Sequence, residues 1–231
     1  LSRNNPETGM RVMRSVARHG LDITRAIFMQ GRAPYRFMEP LRMSLFLSAN
    51  EDDVREAIDM GFAAGRVVGR AQPDDGDTDL RIAFDFDGVL ADDSAERVFQ
   101  SGGLEKYQQN ENALAEVPLS RGPMADFLEK INRIQGIEES KSLDDPSGYR
   151  RRVHVAVVTA RSAPAHERAI NSIGQWGLRV NDAFFLGGID KGPILEVLRP
   201  HIFFDDQRRH VEGASLSTPS VHIPFGEINR V

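Results

Sequence analysis

Four apolar runs in the second part of the chain each stop at polar residues. Ile82-Ala83-Phe84 stops at Asp85-Phe86-Asp87-Gly88, and Val153-His154-Val155-Ala156-Val157-Val158 at Thr159-Ala160-Arg161-Ser162. Ala183-Phe184-Phe185-Leu186 leads through Gly187-Gly188 to Asp190-Lys191-Gly192, and His201-Ile202-Phe203-Phe204 ends in Asp205-Asp206. Short runs rich in β-branched and aromatic residues, without polar alternation, are the pattern of strands buried on both faces. With helical sequence between them, they predict an α/β fold: a parallel sheet with helices on both sides. Ligands in such sheets sit just outside the carboxyl ends of the strands, where this chain places its carboxylates, its threonine and its lysine. Asp85 and Asp87, two apart, can present their side chains on one face, and Gly88 frees the backbone to turn away.

The remaining pattern divides the chain. Glu51 to Ala64 reads as a helix with Asn50 as its N-cap and acids in its first turn. Ala71 to Asp77 has linker composition, which sets a linker at 71–79 between residues 1–70 and a catalytic domain at 80–231. Asp92 to Pro118 is polar and helix-prone, and is expected to form a small cap over the site. Pro123 to Ile134 reads as a helix, and Gly136 to Arg152 as a long charged loop.

Residues 1–57 align without a gap on residues 158–214 at an offset of 157, with 13 identities that include Gly20/Gly177, Gly31/Gly188, Arg42/Arg199 and Phe46/Phe203. About four identities would follow from ordinary composition, so a duplication is the better reading. The first copy lacks the chemistry: Lys191 is matched by Pro34, Asp205 by Ser48 and Asp206 by Ala49. Residues 1–70 therefore read as a degenerate, truncated half-repeat, with strands around Ala26 to Met29 and Ser44 to Leu47. The counterpart of residues 80–157 would lie upstream of Leu1. An open strand edge there tends to pair with another chain, so an N-terminal fragment or a second copy is expected to cover it.

Composition narrows the partners. Hydrophobic content of 40% and charged content of 27% are those of a globular protein. A net charge of −5 argues against binding a nucleic-acid polymer, so an anionic ligand would need a local cationic site. The absence of cysteine excludes disulfides and thiolate chemistry. No apolar run approaches the ~20 residues needed to cross a bilayer, and the expectation is a soluble, cytoplasmic protein. His154, His166, His201 and His210 show no metal-ligand spacing. Arg161 is open between contacting substrate and forming a structural ion pair, and Arg150-Arg151-Arg152 reads as a solvated charge run.

Taken singly, a threonine at a strand end is a cap, a lysine is solvated, and Asp-Asp is a turn. In the order Asp-x-Asp, Thr, Lys, Asp-Asp they resemble the haloacid dehalogenase superfamily of phosphotransferases. Within it, Phe84-Asp85-Phe86-Asp87-Gly88-Val89-Leu90, Val158-Thr159-Ala160-Arg161-Ser162, Trp176-Gly177-Leu178, Lys191-Gly192-Pro193 and Arg199 to Gln207 look like the cytosolic 5′-nucleotidase I family. The likeness runs from about Leu80 to Gly226. Phe86 and Gly88 depart from the pattern, standing where vertebrate members carry Gly and Ala. The resemblance implies Mg²⁺-dependent hydrolysis of nucleoside 5′-monophosphates, with Asp85 as nucleophile, Asp87 as general acid and base, and Lys191 neutralising the transferred group. It implies that Thr159 and the Ala160 N–H hold phosphoryl oxygens at a helix N-terminus. Mg²⁺ would be bound by Asp85, the Asp87 carbonyl and Asp206, with Asp205 behind them. A phosphatase for another small ester, or a nucleotide-binding protein without turnover, stays open at this point.

Overall fold

The computed structural model describes residues 1–69, 76–146 and 148–230; most of the linker stretch 71–79 lies outside them. The apolar runs become strands β3 (Leu80–Phe84), β4 (Val153–Thr159), β5 (Asp182–Phe185) and β6 (Ile202–Asp205), which pair in parallel as β5-β4-β3-β6. Side chains alternate between the faces as the pleat requires. Ile82, Phe84, Val155, Val157 and Phe204 enter one apolar cluster, and Ala83, Ala156, Val158 and Phe203 the other. Burial on both faces is why these runs carry no polar alternation. Phe84 stacks on Phe204 with ring centroids 5.0 Å apart, fixing β3 against β6 at the level of the site.

Three strands complete a seven-stranded sheet of order β1-β2-β7-β6-β3-β4-β5. They are β1 (Phe46–Ser48), β2 (Ala64–Val68) and β7 (Ser220–His222), and only the β2–β7 pairing is antiparallel. The helices are α1 (Pro6–Arg18), α2 (Glu51–Asp59), α3 (Ser94–Ala113), α4 (Ala125–Asp144), α5 (His166–Gln175), α6 (Gly192–Leu198) and α7 (Arg208–Ala214).

Several elements differ from the sequence expectation. α2 starts at its Asn50 cap but stops at Asp59, because Gly61 takes a left-handed conformation and the Gly61 and Phe62 N–H groups donate to the Ile58 and Ala57 carbonyls. The chain then enters β2, a strand missed in the sequence. α4 runs ten residues beyond Ile134 and absorbs much of the expected loop at 136–152. One glycine at Gly136 costs a helix only about 1 kcal/mol, and Glu138 ties the extension to the Arg152 and Val153 N–H groups. The segment 92–118 contains α3, broken at Gly103, and its base is closed by a bridge between Ala91 and Arg121.

The offset of 157 recurs in the backbone. Left-handed residues fall in related pairs: Gly20/Gly177, Gln30/Gly187, Gly31/Gly188, Arg42/Arg199 and Gly69/Gly226. The strand expected around Ala26 to Met29 is reduced to one parallel bridge, Ser2 to Phe28, whose counterparts Thr159 and Phe185 are register partners in β4 and β5. The β1-α2-β2 unit is parallel, as is β6-α7-β7. β2 pairs Arg66 with His222, Val67 with Val221 and Val68 with Ser220. At the offset those partners correspond to Gly65, Ala64 and Ala63, so β2 lies antiparallel to its own counterpart, as two copies of a strand do about a two-fold axis. Glu51 and Arg208, at equivalent positions, form an ion pair across this junction. Among the described residues no strand pairs with the outer edge of β1.

Candidate active site

β6, β3 and β4 are neighbours, so their carboxyl ends bring Asp205-Asp206, Asp85 and Thr159 side by side. The Asp85 N–H donates to the Phe204 carbonyl (2.8 Å), which carries the β3–β6 pairing up to the first carboxylate. Beyond it Asp87 is extended and Gly88 left-handed (φ 70°), so the chain folds over the strand end. A Cβ on Gly88 would lie 2.3 Å from Asp206 Oδ2, so the glycine is what lets the Asp206 carboxylate pack against this turn.

Lys191, directly before α6, is buried and bridges two acids: its Nζ lies 2.9 Å from Asp85 Oδ2 and 2.6 Å from Asp205 Oδ2. Asp205 is fully engaged. Its other oxygen accepts the Gln207 N–H (2.8 Å), and His210 Nδ1 lies 3.3 Å from Oδ2. Burial works against its charge, but the Lys191 ammonium and His210 hold Asp205 below the ordinary carboxylate range. Burial pushes the Asp85 carboxyl up to about 6, against the pull of Lys191. Lys191 itself is raised: burial would lower it, and the Asp205 and Asp85 carboxylates outweigh that. Asp206 is raised by burial and by the like charges of Asp205 and Asp85. Its Oδ1 is buried without a hydrogen-bond partner among the described residues. Among the described residues the ligand atoms that converge within 4.8 Å of one another, as a cation would need, belong to Asp85, Asp205 and His210; the unmatched oxygen of Asp206 is on the next residue along the strand end.

Thr159 is buried as the last residue of β4, and its Oγ1 accepts the Arg161 N–H (3.3 Å). Ala160 is exposed beside it. These two do not open a helix; α5 begins at His166, after the turn that Pro164 imposes, so the helix N-terminus expected at Thr159-Ala160 is displaced. The Asp87 side chain turns to Arg161, which grips both its oxygens at 2.7 Å, so Arg161 is an ion-pair residue here. A cleft of about 550 Å³ opens beside Asp206, lined by Glu96 and by the arginines 55, 208, 209 and 230.

With this geometry in view, the comparison with known sequences is decisive. A profile of the family described as 5′-nucleotidase matches residues 1–230. This chain belongs to the 5′-nucleotidase family. Human cytosolic 5′-nucleotidase 1B is 35% identical over 218 residues, 93% of this chain and 35% of the relative, so the chain spans about a third of that protein's length. A solved structure from Burkholderia xenovorans LB400, described as haloacid dehalogenase-like hydrolase, aligns over 64% of this chain and 83% of its own with 14% identity and a TM-score of 0.33.

The strand-end acids and the lysine of this 5′-nucleotidase family member were readable from sequence, but three neighbours of the site were not. His210, which shows no metal-ligand spacing in the sequence, stands on Asp205. Tyr107 and Glu111 of α3 reach Arg161, Glu111 at 2.5 Å. The only signal for them was the i,i+4 spacing of Tyr107 and Glu111 within a polar helix.

Proposed function

We propose that this chain hydrolyses nucleoside 5′-monophosphates to nucleoside and phosphate, with Mg²⁺ and through an aspartyl phosphate on Asp85. The observation that carries the reading is the buried Asp85 held 2.9 Å from Lys191, with the unmatched Asp206 oxygen alongside. Phosphoryl transfer asks a protein mainly for position and charge neutralisation. Lys191 holds the Asp85 carboxylate ionised and aimed, and meets the charge of the incoming phosphoryl group. An Asp85 oxygen bonds to phosphorus as the P–O5′ bond breaks, and Asp87 delivers a proton to the departing ribose oxygen. Asp87 then takes a proton from the water that attacks phosphorus, releasing Asp85 and phosphate. Thr159 and the Ala160 N–H bind phosphoryl oxygens.

The residues suit Mg²⁺, which takes hard oxygen ligands and keeps several waters. Asp85, the Asp87 carbonyl and Asp206 would hold it, and Asp205, saturated by Lys191 and Gln207, stays behind them. When bound, the ion lowers the repulsion between Asp85 and the phosphate dianion. The cleft beside Asp206 has the volume of a small-ligand pocket; of the arginines lining it, Arg55 and Arg208 pair with Glu51 and Arg230 with Glu227. The 5′-nucleotidase named above is cytosolic, and no helix among the described residues is long and apolar enough to cross a membrane; a cytoplasmic setting is part of the proposal. So is the division of the chain: residues 1–69 are a second copy of the unit at 158–226, with its chemistry lost and the outer edge of β1 left for another strand.

Phosphate release from a panel of nucleoside monophosphates and simple phosphate esters, with and without Mg²⁺, tests the activity. Asp85→Asn is expected to remove turnover while the fold persists. Retention of more than about a hundredth of the wild-type rate sinks Asp85 as nucleophile, because electrostatic groups supply only 10²–10³-fold.

A further inference from the structure

A buried ion network lies beside the expected acid-base residue and reaches into the segment between β3 and α4. Arg161 Nε and Nη2 donate to the two oxygens of Asp87, both at 2.7 Å. Its Nη1 donates to Glu111 Oε2 (2.5 Å) and to the Ala165 carbonyl (2.9 Å). Glu111 Oε1 in turn accepts from Arg168 Nη1 at 2.7 Å. The guanidinium is confined on its faces too, 5.0 Å from the Phe86 ring centroid and 5.8 Å from that of Tyr107. Phe86 is itself stacked on Trp176. Phe86 and Tyr107 thus form the walls of the arginine's slot.

We propose that Arg161 is the positioning residue that fixes the Asp87 carboxylate for proton transfer, and that Glu111 of α3 sets Arg161. The proposal rests on the aspartyl-phosphate reading above. Asp87, Arg161, Glu111 and Arg168 alternate in charge and sum to zero. Such a buried chain gives little net stability, since apolar residues of like volume do as well or better. Its side chains are 1%, 0% and 8% exposed for Arg161, Glu111 and Arg168, and 21% for Asp87. What the network delivers to the site is therefore the direction of one carboxylate. A two-pronged guanidinium fixes both oxygens of a carboxylate, which an ammonium cannot. Because Tyr107 and Glu111 belong to α3, a shift of that helix is felt at Asp87 through a single side chain.

The two half-reactions separate the possibilities. 4-Nitrophenyl phosphate has a leaving group that departs without a proton, so forming the aspartyl phosphate does not need Asp87, whereas its hydrolysis does. In stopped flow with the Mg²⁺-loaded full chain, Asp87→Asn is the reference: about one nitrophenolate per site in a burst, then slow turnover. Arg161→Lys, which keeps every charge and loses the fork, is expected to give the same burst, a steady rate lowered roughly 10²-fold, as for a displaced general base, and KM within about threefold. Glu111→Asp is expected to act in the same direction by a smaller factor. If Arg161→Lys does not fold, the charge-balanced pair Arg161→Met with Glu111→Met gives the same readout. A folded variant with linear, unslowed release, or with burst and steady rate reduced alike, overturns the proposal. Absence of a burst in Asp87→Asn overturns the aspartyl-phosphate reading instead.

Discussion

Asp205 and Asp206, adjacent at the end of β6, have opposite surroundings. Asp205 has Lys191, His210 and the Gln207 N–H around it, while Asp206 has a buried oxygen with nothing to accept from. An isolated buried carboxylate beside two others destabilises the fold, and a residue of that kind persists where function needs it. Asp206→Asn is accordingly expected to move two measurements in opposite directions. The melting temperature without metal rises, because the amide removes a charge that Asp205 and Asp85 repel. The Mg²⁺ concentration needed for half-maximal activity increases by at least the 10–100-fold that loss of even an outlying metal partner costs. Thermal scans and Mg²⁺ titration of activity check both; a lower melting temperature together with an unchanged Mg²⁺ response would remove Asp206 from the metal site. At this scale the sequence was legible where chemistry sits at a strand end, as for Asp85, Thr159 and Asp206. It was not legible for His210 or Glu111, whose proximity depends on how α7 and α3 pack.

Among the elements, α4 shows what a local pattern omits. Its extension past Gly136 brings Glu138, 6% exposed, to the entry of β4. There its oxygens accept the Arg152 and Val153 N–H groups (3.0 and 3.1 Å) and the Tyr149 hydroxyl (3.1 Å). A glutamate inside a charged stretch looks like solvated surface; this one is the anchor that starts the first long strand after the helix. Burial opposes its charge, but the backbone N–H donors prevail and hold Glu138 below the ordinary glutamate range. A carboxylate lowered in the folded state adds stability above its unfolded value of about 4.3, and that contribution disappears as pH falls through the folded value. Glu138→Gln is expected to cost about 1–3 kcal/mol at pH 7, the range for a buried donor left facing the wrong group. Denaturant titrations at pH 7 and below pH 4 should show the gap from wild type closing at the acid end. A gap that stays constant across that range would refute the ionised role.

For the molecule as a whole, the sheet is continuous, and one apolar cluster joins Tyr35, Met38, Phe46 and Val54 to Phe84, Leu128 and Phe204. The stretches on either side of residues 71–79 share this sheet, the first adding β1 and β2 to the outside of β7. That junction was illegible because β2 and β7 are five and three residues long and lack the apolar runs of the central strands. Close packing across it is checkable at Gly65, where a Cβ would lie 2.2 Å from Val221 Cγ1 and 2.9 Å from Ile223 Cδ1. Gly65→Val is expected to cost about 1–3 kcal/mol, or roughly 2–4 °C per kcal/mol in a chain of this size. Hydrogen exchange should quicken in β1, α2 and β2 before the central strands. Equal protection in wild type and variant would mean that this junction carries no stability.

The antiparallel match of β2 with its own counterpart has a further consequence. Two separate chains meeting along such strands would hold together only above their dissociation constant, and their melting temperature would climb with concentration. Here both partners are on one polypeptide, so the contact is intramolecular and forms without a second chain. A contact of dimer type is thereby made independent of dilution. Residues 1–69 then remain a permanent, stoichiometric neighbour of the rest of the chain at any abundance of the protein.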